Sequence, residues 1–232
     1  MIRVRAANSR GRAPMDWLEG YHSFSFGDFV DPAFMSYRDL RVLNDDTFAP
    51  GAGFATHPHK DMEIITYVVD GALRHQDSLG YGGVIRAGEV QRMTAGSGIR
   101  HSEFNASDEA PVRILQIWIA PDRPGLDPGY DQRHFARDAR RGRLLPIVTG
   151  TPREDALEVH QDVDLWAAIL APGERVSHAL KAGHHAWLQV VDGELTLNDQ
   201  PLARGDGAAV DDETEMTIIA RTPCEFLLFD LR

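Results

Sequence analysis

The chain has 232 residues, of which 43% are hydrophobic, so it is long enough for one large β domain or two small ones and too short for a large multidomain protein. Its formal net charge of −11 disfavours binding to nucleic acid or to an anionic membrane, because both of these partners require a basic surface. A single cysteine, Cys224, excludes a disulfide framework and a thiolate metal cluster within the chain, so any metal must be bound by nitrogen and oxygen.

The amino terminus, residues 1–8, carries charge but lacks the apolar region of a signal peptide. No apolar run in the chain approaches the roughly 18 residues that are needed to span a bilayer. We therefore expect a soluble cytoplasmic protein that has neither a membrane nor nucleic acid as a direct partner.

The apolar residues occur in short runs rich in Val, Ile, Leu and aromatic residues, and helical periodicity is scarce. The pairs Asp70-Gly71 and Asp192-Gly193 are typical of tight hairpin turns, which need a positive φ. These features predict a mainly β protein. The predicted strands include residues 63–69, 112–120, 187–191, 194–197 and 224–231.

An internal repeat divides the chain. Residues 68–73 read VVDGAL and residues 190–195 read VVDGEL, and each copy is followed by a turn of glycine and an acidic residue, Gly88-Glu89 and Gly205-Asp206. The alternative is a chance similarity between two Val-rich hairpins; the repeated order favours two related β-barrel domains.

The boundary is predicted in the polar segment 121–150, where prolines and glycines break any strand. We expect one domain over residues 1–125, a linker over 126–150 and a second domain over 151–232. The arginines of this segment are expected to be solvated. They are Arg137, Arg140, Arg141 and Arg143.

Two pairs of polar residues indicate a metal centre. Successive side chains of a strand point to opposite faces, so residues spaced by two share a face. His57 and His59 have this spacing, and His101 and Glu103 repeat it. On facing strands of a small barrel, these pairs would bring three imidazoles and one carboxylate into its interior. A lone H-x-H pair is more often structural, but the second pair favours a metal site.

Such ligands suit a divalent Fe, Mn, Co, Ni, Cu or Zn ion better than Ca or Mg. Glu63, four residues after His59, is another candidate carboxylate, either as a ligand or behind the ligands. In the second copy of the repeat, His178, His184 and His185 lie near the corresponding positions, but no acidic residue follows them closely. This predicts that the second domain is structural or covers the pocket.

Five stretches of the sequence together resemble the pirin family, and in particular its bacterial quercetinase-type subgroup. Residues 51–71 and 88–105 are also similar to the two cupin motifs, with Thr94 where cupins usually have proline. The pirin-like stretches are HSFSF at 22–26, HPHKDME at 57–63, MTAGSGIRHSE at 93–103, QIWI at 116–119 and VHQD at 159–162.

The resemblance implies an all-β bicupin fold, in which two jelly-roll β-barrel domains pack together with few short helices. The amino-terminal cupin would bind one metal ion, and the carboxy-terminal cupin would be degenerate and lack a metal site. The implied ligands leave Glu63 outside the metal site. They are His57, His59, His101 and Glu103.

The family's activity implies a metal-dependent dioxygenase that opens the central ring of flavonols such as quercetin with O2 and releases carbon monoxide. Iron is the expected ion. We expect a flat aromatic substrate and assign Glu103 as the catalytic base that accepts its hydroxyl proton. Several residues near the motifs could line the pocket or belong to the core: Phe24, Phe26, Phe48, Phe54, Met93, His22 and His75. Arg100 is expected either to contact a ligand from behind or to be exposed.

Two alternatives to this function stay open at the level of sequence. One is a metal-dependent regulatory binding protein of the pirin type, which docks a transcription or metabolic partner. The other is a cupin isomerase or hydrolase that uses the metal as a Lewis acid without O2. A monomer is expected if the second cupin covers the first.

Overall fold

The computed structural model describes residues 1–232, with the exception of the Pro14 side chain. Nearly all regular structure is β, which confirms the predicted fold class. The described helices are two short 3-10 helices, Ala7–Ser9 and Arg137–Arg140. Among the described residues, no helix has the length and apolar character required to cross a membrane.

The chain folds into two compact units whose bounds differ from the predicted domains. The amino-terminal unit consists of Gly11–His134 and Val159–Gln161, and the carboxy-terminal unit consists of Met1–Arg10, Phe135–Glu158 and Asp162–Arg232. The first ten residues therefore belong with the second half of the chain. A short segment of the second half belongs with the first.

The amino-terminal unit contains eleven strands in two antiparallel sheets. One sheet has the order β12-β9-β6-β11-β4-β3-β2 and the other has the order β5-β10-β7-β8, where the strands are numbered along the whole chain. They are β2 (Gly11–Met15), β3 (Leu18–His22), β4 (Leu40–Phe48), β5 (Gly53–His59), β6 (Glu63–Asp70), β7 (Ala72–Asp77), β8 (Gly82–Arg86), β9 (Glu89–Thr94), β10 (Ile99–Asn105), β11 (Val112–Ile119) and β12 (Gly129–His134).

The carboxy-terminal unit repeats this arrangement. Its sheets have the orders β1-β20-β17-β22-β15-β13-β14 and β16-β21-β18-β19. The strands are β1 (Ile2–Arg5), β13 (Leu145–Thr149), β14 (Leu157–Glu158), β15 (Val163–Leu170), β16 (Arg175–Ala179), β17 (His185–Asp192), β18 (Glu194–Leu197), β19 (Gln200–Ala203), β20 (Gly207–Val210), β21 (Glu215–Ala220) and β22 (Cys224–Leu231).

The repeated sequence motif forms the same hairpin in both units, between β6 and β7 and between β17 and β18. Gly71 and Gly193 make the turns, each with φ of 77°. A Cβ at Gly193 would lie 2.1 Å from the Pro223 carbonyl oxygen, so this turn excludes other residues for space as well as for conformation. The internal repeat in the sequence thus corresponds to a repeated β topology.

Each unit has its own apolar interior. In the amino-terminal unit, buried side chains from the two sheets pack together, among them Phe48, Val68 and Leu73. The larger cluster of the carboxy-terminal unit includes Leu188, Phe226 and Leu228, and β1 contributes Ile2 and Val4 at its margin. Burial of these runs explains why short apolar segments of the sequence form strands rather than surface loops.

Residues 126–150, predicted to be a linker, instead contribute one strand to a sheet of each unit. Its first part forms β12, which pairs with β9, and its last part forms β13, which pairs with β15. The expectation of solvated arginines is also wrong for Arg140, which is 3% exposed because its Nη1 donates to Glu225 Oε1 at 2.8 Å. Backbone pairing across the sheets, which local composition does not show, decides this boundary.

Candidate metal centre

Adjacent antiparallel strands bring the predicted histidines together. In the register of β5 and β10, His101 lies opposite His57, and Ile99 lies opposite His59. The Nε2 atoms of His57 and His101 are 3.0 Å apart, and the His59 ring centroid is 4.8 Å from both other rings. The three side chains offer nitrogen atoms within 4.8 Å of one another, so they could share one ion.

The hydrogen-bond network assigns the tautomer of His57. Its Nδ1 lies 2.9 Å from the Ala55 carbonyl oxygen, which can only accept a hydrogen bond. The proton therefore sits on Nδ1, and the Nε2 lone pair faces His101.

His101 is oriented by a second histidine and a carboxylate. The His75 Nε2 atom lies 3.3 Å from Asp77 Oδ2, and the carboxylate accepts a hydrogen bond from the N–H at this position. His75 Nδ1 is then an acceptor, and it lies 3.4 Å from His101 Nδ1, which must carry the proton. The backbone N–H groups of Leu79 and Tyr81 donate to Asp77 Oδ1 and hold the carboxylate in place. The free lone pair of His101 is consequently also on Nε2.

Two lone pairs thus face each other at 3.0 Å, an arrangement that is favourable only with a positive charge between them. Burial, strengthened by the neighbouring imidazoles, lowers the pKa of His101 to about 3 and the pKa of His59 to about 4. A proton is therefore a poor occupant at neutral pH. Neutral imidazoles with converging nitrogens fit a divalent first-row metal ion.

Glu103 lies beside this cluster in a hydrogen-bonded position. A register shift between His101 and Glu103 places Glu103 opposite Phe54 on β5. Gln116 Nε2 donates to Glu103 Oε2 at 2.9 Å, and the Thr66 hydroxyl lies 3.4 Å from Oε1. The carboxylate forms a metal-capable group with His75 and His101, whereas the three-histidine group does not include it. His101 is common to both groups.

Glu63 has other partners. It is fully buried, Thr94 Oγ1 donates to its Oε2 at 2.8 Å, and His160 Nδ1 lies 2.8 Å from its Oε1. The His160 backbone N–H also donates to Oε1 at 3.3 Å. Neither metal-capable group contains Glu63. Its role is to anchor the segment Val159–Gln161 within the amino-terminal unit.

The three histidines and Glu103 line a cavity of about 170 Å³, which we call the inner chamber. Of the apolar residues considered for its wall, Phe26 and Phe54 line it, whereas Phe24, Phe48 and Met93 are buried in the core. The other lining residues are Asn44, Asp46, Ile64, Gln116 and Trp118.

Three further residues near the motifs do not line the inner chamber. His22 lines a neighbouring cavity, His75 lies behind His101, and Arg100 is exposed on β10. Sequence reasoning missed Asn44 and Asp46. Their signal was present, since a run of asparagine and aspartates interrupts the otherwise apolar β4.

Two cupin-type β barrels, one of them with a histidine-rich centre, define the chain as a bicupin. Its residues 3–119 match the Pirin family model, and residues 146–231 match the model for the quercetinase C-terminal cupin domain. The chain belongs to the pirin family.

Full-length relatives and solved structures agree with this assignment. The chain is 46% identical over 231 residues to a protein of Escherichia coli K12 named quercetin 2,3-dioxygenase, covering 100% of this chain and 99% of the relative. It is 42% identical to a pirin-like protein of Caulobacter vibrioides, with 99% of each covered. The structure of bacterial pirin YhhW from E. coli in complex with nickel(II) has a TM-score of 0.95 and 44% identity, with 100% of this chain and 99% of that chain covered.

Proposed function

We propose that this protein is a metal-dependent dioxygenase that opens the central ring of flavonols such as quercetin with O2 and releases carbon monoxide. The observation that carries the proposal is the convergence of free imidazole nitrogens in the inner chamber, beside the buried Glu103 carboxylate. Full-length similarity to proteins named quercetin 2,3-dioxygenase supports this chemistry over other uses of a cupin site.

The ligand set we propose is His57, His59, His101 and Glu103, which would hold one divalent first-row ion. When bound, such an ion supplies Lewis acidity, which lowers the pKa of a coordinated hydroxyl group. Iron is our expected ion. The nickel complex of the similar YhhW makes nickel a direct competitor, so the experiment below compares several ions.

Glu103 is the proposed base. Gln116 Nε2 fixes Oε2, and the longer contact to the Thr66 hydroxyl leaves Oε1 the less tightly held oxygen. The flavonol must lose its 3-hydroxyl proton to become electron-rich enough to react with O2. Glu103 Oε1 accepts that proton within the chamber, where the substrate replaces water.

The aromatic wall of the inner chamber orients a flat ring and excludes water. Phe26 and Trp118 pack edge to face with centroids 5.4 Å apart, and Trp118 packs on His59 with centroids 4.9 Å apart. Ring edges and faces in this arrangement offer a slot for a planar aromatic substrate. Holding the reacting end of the substrate beside O2 in this chamber removes much of the entropic barrier to their reaction.

The regulatory alternative has no specific observation in its favour, whereas full-length relatives such as the two from Escherichia coli carry the name of the enzyme. The experiment that tests the dioxygenase also distinguishes it from an isomerase or hydrolase that needs no O2.

The test is oxygen-dependent loss of quercetin with detection of carbon monoxide, on protein reconstituted separately with Fe, Mn, Co, Ni, Cu and Zn. We expect turnover with at least one ion, its loss in His59→Ala and its retention in His185→Ala. The latter removes a histidine of the carboxy-terminal unit that pairs with Asp211. If every ion binds and none supports oxygen consumption, the dioxygenase proposal is wrong.

A further inference from the structure

A second cavity of about 320 Å³, which we call the outer chamber, adjoins the inner chamber. Four side chains line both: Phe26, Asn44, Asp46 and Phe54. Because the same four side chains line both cavities, they lie at the boundary between the two, and we call this set of residues the neck. All of these residues lie in the amino-terminal unit.

The sizes of the chambers bear on what they hold. Pockets for drug-sized ligands typically measure roughly 300–1,000 Å³. The inner chamber, at about 170 Å³, is too small for a three-ring flavonol, whereas the two chambers together fall within that range. A substrate whose reacting hydroxyl lies near the histidines must therefore extend through the neck.

The neck carries polar groups where apolar ones would suffice for packing. Asn44 and Asp46, two residues apart on β4, are 3% and 4% exposed. The Asn44 Oδ1 atom is buried and has no hydrogen-bond partner among the described residues. A buried acceptor without a donor is costly, and a ligand hydroxyl that donates to it removes that cost.

The space around Asp46 is also specific. Gly20 lies opposite Asp46 in the pairing of β3 and β4, and a Cβ at Gly20 would lie 2.7 Å from Asp46 Oδ1. Glycine at this position therefore leaves room for the carboxylate beside the neck. A carboxylate accepts hydrogen bonds from hydroxyls and repels anions.

We propose that the neck is a recognition site for a hydroxyl-bearing ring of the substrate, remote from the reacting hydroxyl, with Asn44 and Asp46 as the acceptors. The inference rests on the proposed function and names its substrate class: planar, polyhydroxylated aromatic compounds without anionic groups at the remote end. Flavonols that lack remote hydroxyls leave the buried Asn44 Oδ1 atom without a donor and bind more weakly.

The experiment compares quercetin with 3-hydroxyflavone, which keeps the reacting hydroxyl and lacks the others. Binding is measured by fluorescence quenching on zinc-loaded protein without oxygen, and kcat/KM is measured on the most active metal form. We expect quercetin to bind about tenfold or more tightly than 3-hydroxyflavone, which is the difference that one or two hydrogen bonds would produce. Asn44→Leu and Asp46→Asn should each reduce this ratio several-fold and leave 3-hydroxyflavone binding within about twofold.

Thr47→Ala is the matched control, because Thr47 follows Asp46 on β4 and its side chain points to the opposite face. Melting temperatures establish that each variant is folded. An unchanged quercetin preference in both folded variants overturns the inference, even if flavonols are turned over. A preference that is lost as expected, together with no oxygen consumption for any metal, overturns the proposed function and leaves the recognition site standing.

Discussion

Both units place histidines in the same kind of barrel, but the side chains that these histidines face differ between the units. In the amino-terminal unit, His57 and His101 turn their free nitrogens toward each other at 3.0 Å. In the carboxy-terminal unit, His178 Nε2 lies 2.8 Å from Asp230 Oδ2, and His184 Nδ1 lies 2.7 Å from Asp230 Oδ1. One set is arranged for a cation from outside the chain, and the other is satisfied within it.

One position accounts for much of this difference. β11 and β22 occupy equivalent places in the two sheet orders, and their penultimate residues are Trp118 and Asp230. Trp118 packs against His59 by ring contact, whereas Asp230 accepts hydrogen bonds from His178 and His184. An indole offers no acceptor for an imidazole N–H, so the histidines around it stay available to a metal. A carboxylate at the same place closes the site.

The strongest test of the contrast is loss of a ligand. We expect His101→Ala to weaken metal binding more than about 100-fold, because even changes behind the ligands cost 10- to 100-fold. The matched change His184→Ala should leave metal content unaltered. Metal content after reconstitution and dialysis checks both. Equal metal loading of His101→Ala and wild type would contradict the proposed ligand set.

Asp230→Asn tests the hydrogen-bonded cluster that Asp230 forms with His178 and His184. The carboxylate is 1% exposed and accepts from two histidines, so we expect a loss of about 3 kcal/mol in the free energy of unfolding. Urea denaturation measures it. Metal affinity should not change, and a shift in it would show that the two units are less independent than their separate clusters indicate.

His75→Phe tests the support behind His101. Removing the acceptor of the His101 Nδ1 proton, while keeping a ring of similar size, should weaken metal binding about 10- to 100-fold. The electronic spectrum of the cobalt-loaded protein should also change, because the His101 ring loses its fixed orientation. A variant with unchanged affinity and spectrum would reduce His75 to a core residue. His22→Phe is the control, since His22 lines the outer chamber.

A further test is the pH dependence of the free energy of unfolding of the metal-free protein. The folded-state pKa values of His59 and His101, about 4 and about 3, lie below the ordinary 6.5, so the unfolded chain takes up protons first. Stability should fall as the pH drops from about 6.5 through the folded-state values of about 4 and about 3. Denaturant melts across this range measure it, and His59→Gln should flatten the curve.

Asp230 contributes to the pH dependence in the same direction, but in a lower pH range. Burial would raise its pKa, but the hydrogen bonds from His178 and His184 lower it below 3.8. Its contribution to stability is therefore present above pH 3.8 and is lost only as the pH falls through the lower folded-state pKa. Above pH 4.5, the dependence of unfolding free energy on pH should be weakened by His59→Gln and not by Asp230→Asn. The reverse result would contradict this assignment.

Local pattern predicted the class of fold, the two-fold repeat and the paired histidines, because strand periodicity and turn residues are short-range signals. Local pattern did not show that Asp230 forms hydrogen bonds with His178 and His184, nor that His160 forms one with Glu63. These contacts depend on pairing between strands that are distant in sequence. The same limit explains the domain bounds: nothing within residues 1–10 indicates that β1 pairs with β20. The ligand set and the catalytic role of Glu103 remain predictions.

The exchange of segments between the units has a practical consequence for anyone who wants the metal site alone. A fragment that ends at residue 125 would keep β1 without its partner and would lose β12, which leaves β9 as a bare sheet edge open to aggregation. It would also lack His160, so the Glu63 carboxylate would be buried with one partner fewer. A minimal protein should start at Gly11, extend through His134 and recover Val159–Gln161 by a designed connection.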